Sequence, residues 1–85
     1  MAEDVAWVRV DEPSAVGSAR RAAEQLARQL GAADARVAEI GLAVTEIASN
    51  VQRHGGGGAV LLRAVRAADS GEVEVVAVDS GPGIA

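Results

Sequence analysis

The sequence predicts an α+β fold: a two-layer β-α-α-β-β sandwich with two helices on one face of an antiparallel sheet. Three observations carry that reading. A short alternating segment lies near the start, two long stretches have helical apolar spacing, and two alternating segments at the end are separated by a polar turn.

The elements follow in order. "VAWVRV" at 5–10 reads as a strand, with Val8 and Val10 on one face and Trp7 and Arg9 on the other. "DEPS" breaks it, and Ser14 is the expected N-cap of the first helix. From Ala15 to Leu30, Val16, Ala19, Ala22, Ala23, Leu26 and Leu30 recur at helical spacing, and Gly31 is a natural terminator. Asp34 is the expected cap of a second helix. Its stripe of Val37, Ile40, Gly41, Val44, Ile47, Ala48 and Val51 is the clearest periodic signal in the chain. The helix should fray by His54, because the four glycines at 55–58 cannot sustain it. Strands are expected at 59–66 and 72–79, turned by "AADSG" into an antiparallel pair.

Bulk properties narrow the field. Eighty-five residues make a single small domain or part of one, with one aromatic residue, Trp7, so limited stability is expected. The net charge of −4, with eight scattered arginines and no lysine, argues against a nucleic-acid surface. The absence of cysteine removes disulfides, thiolate nucleophiles and thiolate metal sites. The acidic N-terminus has no long apolar run, so it reads as neither signal peptide nor membrane span, and a cytoplasmic location is expected.

Three features fit a plain structural domain less comfortably. Glu46 and Asn50 stand at i and i+4, roughly opposite Val44, where a solvated helix face is the ordinary explanation. Asp79 shares strand parity with Val73, Val75 and Ala77, the side expected to meet the helices. A carboxylate there needs donors or a solvated strand end. "GPG" at 81–83 allows close backbone approach or a hinge, though most such tripeptides are turns.

Taken together, "LAVTEIASNVQRHGGG" resembles the N box, and "VEVVAVDSGPGI" the G1 box, of the GHKL (histidine kinase-like, Bergerat) ATP-binding fold. Within that group the chain is most similar to bacterial anti-sigma factor serine kinases of the RsbT, RsbW and SpoIIAB type, from about residue 5 to 84. The resemblance implies an ATP- and Mg²⁺-dependent serine/threonine kinase domain acting on a STAS-type antagonist, or docking a sigma factor, in stress signalling. It implies Glu46 as general base, Asn50 as a ligand to Mg²⁺, Asp79 as acceptor for the adenine amine, and Gly81 and Gly83 as room for the base. Arg53 and His54 fall near the path of the phosphates, where a solvated helix end is the simpler account.

The 85 residues carry an N box at 42–54 and a G1 box at 79–84. The lid and second glycine-rich (G2) box that follow G1 in the family are not among them. The expectation is therefore the N-terminal part of such a domain, an incomplete Bergerat fold, with ATP affinity and catalysis by these residues alone in question. Two further readings stand beside it. One is a non-catalytic module that docks a partner or self-associates through a sheet edge, a possible homodimer. The other is an inert fragment. No nucleic acid and no membrane are expected as partners.

Overall fold

The computed structural model describes residues 5–54, 58–66 and 71–79, leaving aside the side chains of His54, Arg66 and Asp79. The elements run β1 (Val5–Arg9), α1 (Ser14–Gln29), α2 (Asp34–His54), β2 (Gly58–Arg66) and β3 (Gly71–Asp79). This is the β-α-α-β-β order the apolar periodicities predict, with strand bounds shifted by a residue. Both strand pairings are antiparallel in the order β1-β2-β3, so β2 is central.

Alternation sorts each strand between two environments. Val60, Leu62 and Ala64 of β2 are buried under the helices, with Val8 and Ala6 of β1 and Val75 and Val73 of β3 beside them. From above, Val10, Ala19, Ala23, Leu26, Val44, Ala48 and Val51 close the same cluster. Trp7 stays out of it, on the other face of β1 and 56% exposed. The core is therefore wholly aliphatic. A fully buried residue such as Leu62 contributes about 2–3 kcal/mol, so the total rests on many small terms.

The start of α1 departs from expectation. Pro13 holds the N-cap position with helical angles (φ −56°, ψ −35°), and no side chain caps the helix. Ser14 is already the first helical residue. The proline ring fixes φ near the helical value, which draws the helical turn back one residue and takes Ser14 out of the cap geometry. The Ala15 and Val16 amides donate instead to the carbonyls of Glu12 and Pro13. Similarly, the Val37 amide bonds to the Ala33 carbonyl at 2.9 Å, so Asp34 stands inside the first turn of α2. Its negative charge still suits the positive end of the helix dipole.

The other end of α1 closes as its glycine predicts. Gly31 takes φ +83°, its amide donates to Arg28 at 2.9 Å, and the Ala32 amide donates to Ala27 at 3.1 Å. That pair of bonds is a Schellman motif, which satisfies carbonyls the helix end would leave open. The chain then reverses into α2. The two helices approach closely because small residues line their seam. A Cβ at Gly41 would lie 2.5 Å from Glu24 Oε2, and Glu24 accepts from Arg20 Nε at 3.0 Å. Among the described residues no polar or charged side chain is buried, and no helix is long and apolar enough to cross a membrane.

Candidate functional site on the polar side of α2

About 3.6 residues per turn split α2 lengthwise. Val44, Ala48 and Val51 go down onto the sheet, while Glu46, Asn50 and Arg53 stand outward and exposed. Together with Thr45 and Ser49 these three line one groove of about 310 Å³. The i, i+4 spacing of Glu46 and Asn50 therefore does bring them to a common recess.

The groove has a mixed donor set. Arg53 Nη2 donates to Asn50 Oδ1 at 3.3 Å, a long bond between exposed groups that other partners can displace. The Thr45 hydroxyl is already committed to the Gly41 carbonyl at 2.8 Å, which leaves its methyl and the Ser49 side chain as groove lining. What remains available is one carboxylate, one amide oxygen, one hydroxyl and one guanidinium. The first two suit a proton and a hard cation, and the last suits an anionic oxygen.

A self-contained metal cage does not fit here. Among the described residues, no group of three or more His, Cys, Asp or Glu side chains could hold an ion. Mg²⁺, however, keeps most of its waters and takes one or two protein oxygens alongside phosphate oxygens. Asn50 Oδ1, exposed and weakly held, fits that arrangement, so the residues accommodate the ion in company with phosphates.

The sheet register places the end of β3 relative to α2. Gly58, the first residue of β2, pairs with Asp79, the last of β3, and its carbonyl accepts from the Val10 amide at 2.8 Å. Gly58 lies four residues beyond His54, the end of α2. The β3 terminus is thus tied to the same end of the sandwich as Asn50 and Arg53. Ala77 marks how open that end is. It shares parity with the half-buried Val73 and Val75 and pairs with Val60, which is 0% exposed, yet Ala77 itself is exposed. The helices cover the beginning of β3 and leave its end clear.

The Asp79 side chain, Gly81 and Gly83 lie outside the described residues, as does the side chain of His54. Thr45 and Ser49 join the groove without a motif of their own in the sequence, and Arg53, expected on a solvated helix end, lines it as well. The helical spacing that pairs Glu46 with Asn50 also places Ser49 three residues after Glu46, and Arg53 three after Asn50. That signal was present and went unused.

Comparison with known proteins gives the family. The family model described as the histidine kinase-like ATPase domain matches residues 10–85. No curated protein and no solved structure matches the chain. The family match covers nearly the whole length: the chain belongs to the histidine kinase-like ATPase domain family, which implies use of ATP.

Proposed function

We propose that this chain forms the metal and adenine sides of the ATP pocket in an anti-sigma-type serine/threonine kinase domain, acting on a STAS-type antagonist in bacterial sigma-factor control. The observation that carries the proposal is the shared groove of Glu46, Asn50 and Arg53 on α2, the helix that leads into the β2 residue paired with Asp79. In this reading, residues 42–54 are the N box and 79–84 the G1 box.

ATP with Mg²⁺, when bound, supplies the γ-phosphoryl group. The chain's own residues do the rest. A carboxylate oxygen of Glu46, exposed on the groove, takes the proton of the attacking serine or threonine hydroxyl. Asn50 Oδ1 would hold Mg²⁺, and Arg53, released from Asn50, would offer its guanidinium to the phosphate oxygens. Asp79 accepts from the exocyclic amine of adenine, and Gly81 and Gly83 keep the base from meeting a Cβ. A non-catalytic docking role predicts the same fold and a groove that ATP does not enter.

Calorimetry of Mg·ATP binding, wild type beside Asp79→Asn, separates these readings. Binding that the substitution removes is the expected result. A folded protein that takes up no ATP, or one in which Asp79→Asn binds as well as wild type, would sink the assignment of this pocket.

A further inference from the structure

β1 is an edge of the sheet, paired among the described residues with β2 alone. Which of its backbone groups stay open follows from one bond. The Val10 amide donates to the Gly58 carbonyl at 2.8 Å, one step beyond the Arg9–Ala59 pair of the register. Backbone direction alternates along an antiparallel ladder, so Val8 and Ala6 also turn their N–H and C=O groups to β2. Those of Arg9, Trp7 and Val5 point the other way, to the open edge. Between β1 and α1 lies a groove of about 330 Å³. Ala6, Ala22 and Leu26 give it an apolar lining, and the exposed Arg21, Gln25 and Gln29 of α1 a polar one. Unpaired backbone and a side-chain groove therefore lie next to each other.

We propose that the free edge of β1 takes up an extended, acidic segment of a partner protein as an added antiparallel strand. Main-chain bonds to Val5, Trp7 and Arg9 hold it, and the groove selects its side chains. Alternate side chains of the added strand project to the helix side. There a small aliphatic one rests on Ala22 and Leu26, and a carboxylate reaches the Arg21 guanidinium. The residue opposite Trp7 lies on the other face, beside an indole that is 56% exposed.

Charge decides for an acidic segment and against a second copy. The chain as a whole is −4, yet α1 carries three arginines against one glutamate. Arg20 holds that glutamate, Glu24, at 3.0 Å. Arg21 is left with a 3.3 Å bond from Nη2 to the Ser18 hydroxyl, and neither it nor Arg28 has a carboxylate among the described residues. The groove thus borders the positive element of a negative chain. Antiparallel edge pairing of two copies about a two-fold axis would set one Arg21 wall beside another and leave both without a counter-ion. An acidic strand supplies the counter-ion. The proposal does not rest on the nucleotide site, and its test needs no ATP.

The probe is a synthetic, end-blocked peptide, Thr-Glu-Thr-Val-Thr-Glu-Thr, whose threonines fall opposite Val5, Trp7 and Arg9 and whose other side chains face the groove. It is titrated into the wild-type chain by calorimetry and by the emission of Trp7, the single tryptophan. Saturable binding with a shift in emission is expected. Two companion peptides should bind at least tenfold more weakly. One has lysine in place of both glutamates, and the other has its threonine amides, which face β1, blocked by N-methyl groups. Arg21→Glu, an exposed change whose folding circular dichroism checks, should reverse the preference between the glutamate and lysine peptides. The peptide series on the wild-type chain decides the matter should that variant fold poorly. Absence of saturable binding by the glutamate peptide overturns the proposal. Equal binding of the N-methylated peptide does so too, because the edge is then unused, as does an unchanged preference in a folded Arg21→Glu. A dimer in sedimentation equilibrium that the peptide fails to dissociate also overturns it and gives the edge to a second copy.

Discussion

Along α2, Val44, Ala48 and Val51 are sealed between helix and sheet, while Glu46, Asn50 and Arg53 share an open groove on the other side. The first set packs into the aliphatic core cluster. The second has its polar atoms exposed, with one replaceable 3.3 Å bond from Arg53 to Asn50. One helix thus separates the residues that keep the domain folded from those available for chemistry. Substitutions on the two sides should have distinct consequences, and the contrast can be broken by experiment.

The largest effect on stability is expected from Val44→Asp. Val44 is fully buried, and the described core offers no polar side chain to satisfy a carboxylate. The cost is several kcal/mol, against a total stability of about 4–13 kcal/mol for a chain of this size. Denaturant titration should find this variant largely unfolded in buffer. A cooperative transition near the wild-type midpoint would mean that the α2–sheet contact is wetter than described.

Gly41 lies at the seam between the two helices and tests how tight it is. A valine there must displace Glu24 and add branched bulk, costing about 1–3 kcal/mol. Alanine gains up to about 1 kcal/mol of helix propensity. It loses at most a similar amount by disturbing the Arg20–Glu24 pair, in which Arg20 is substantially exposed. Gly41→Ala should therefore melt near wild type, and Gly41→Val clearly below it. Equal melting of both variants would show that the helices are not in close contact at this point.

The smallest stability effect belongs to Glu46→Ala, within about 0.5 kcal/mol, because the side chain is exposed and holds nothing in place. Its effect on function should be far larger. Phosphoryl transfer by an intact domain carrying this substitution should fall by about 10²–10⁴-fold, with nucleotide binding largely retained. Normal phosphorylation by Glu46→Ala would remove Glu46 from the role of base. A marked loss of stability would erase the division between the two sides of α2.

The sequence made the regular parts of this division readable and left the irregular parts dark. The α2 stripe and its Glu46–Asn50 counterpart are legible because a helix repeats its geometry, so position alone tells in from out. Capping is less legible. Whether Ser14 closes α1 depends on the backbone angles of Pro13, and those are set by the local turn as well as by residue type. Exposure at Ala77 is beyond reach of alternation, which assigns it to the helix-facing side but cannot say where the helices stop covering β3. The groove's fuller membership was available from helical spacing. Ser and Thr on a helix carry no distinctive signal by themselves, so that spacing alone does not mark them as site residues.

The register of the sheet also carries a consequence for the order in which the chain assembles. β2 and β3 are joined by residues 67–70 alone, whereas β1 meets β2 only after both helices have intervened, with Arg9 paired to Ala59. Closing that longer loop costs about 2 kcal/mol more entropy than closing the hairpin. The β2–β3 hairpin and the helix pair can therefore form from local contacts, and β1 joins last. A strand that arrives last without partners on its outer edge among the described residues is also the first to leave. Amide hydrogen exchange should run faster along Val5–Arg9 than along the middle of β2. Equal protection of the two strands would mean that the sheet forms and opens as a single unit.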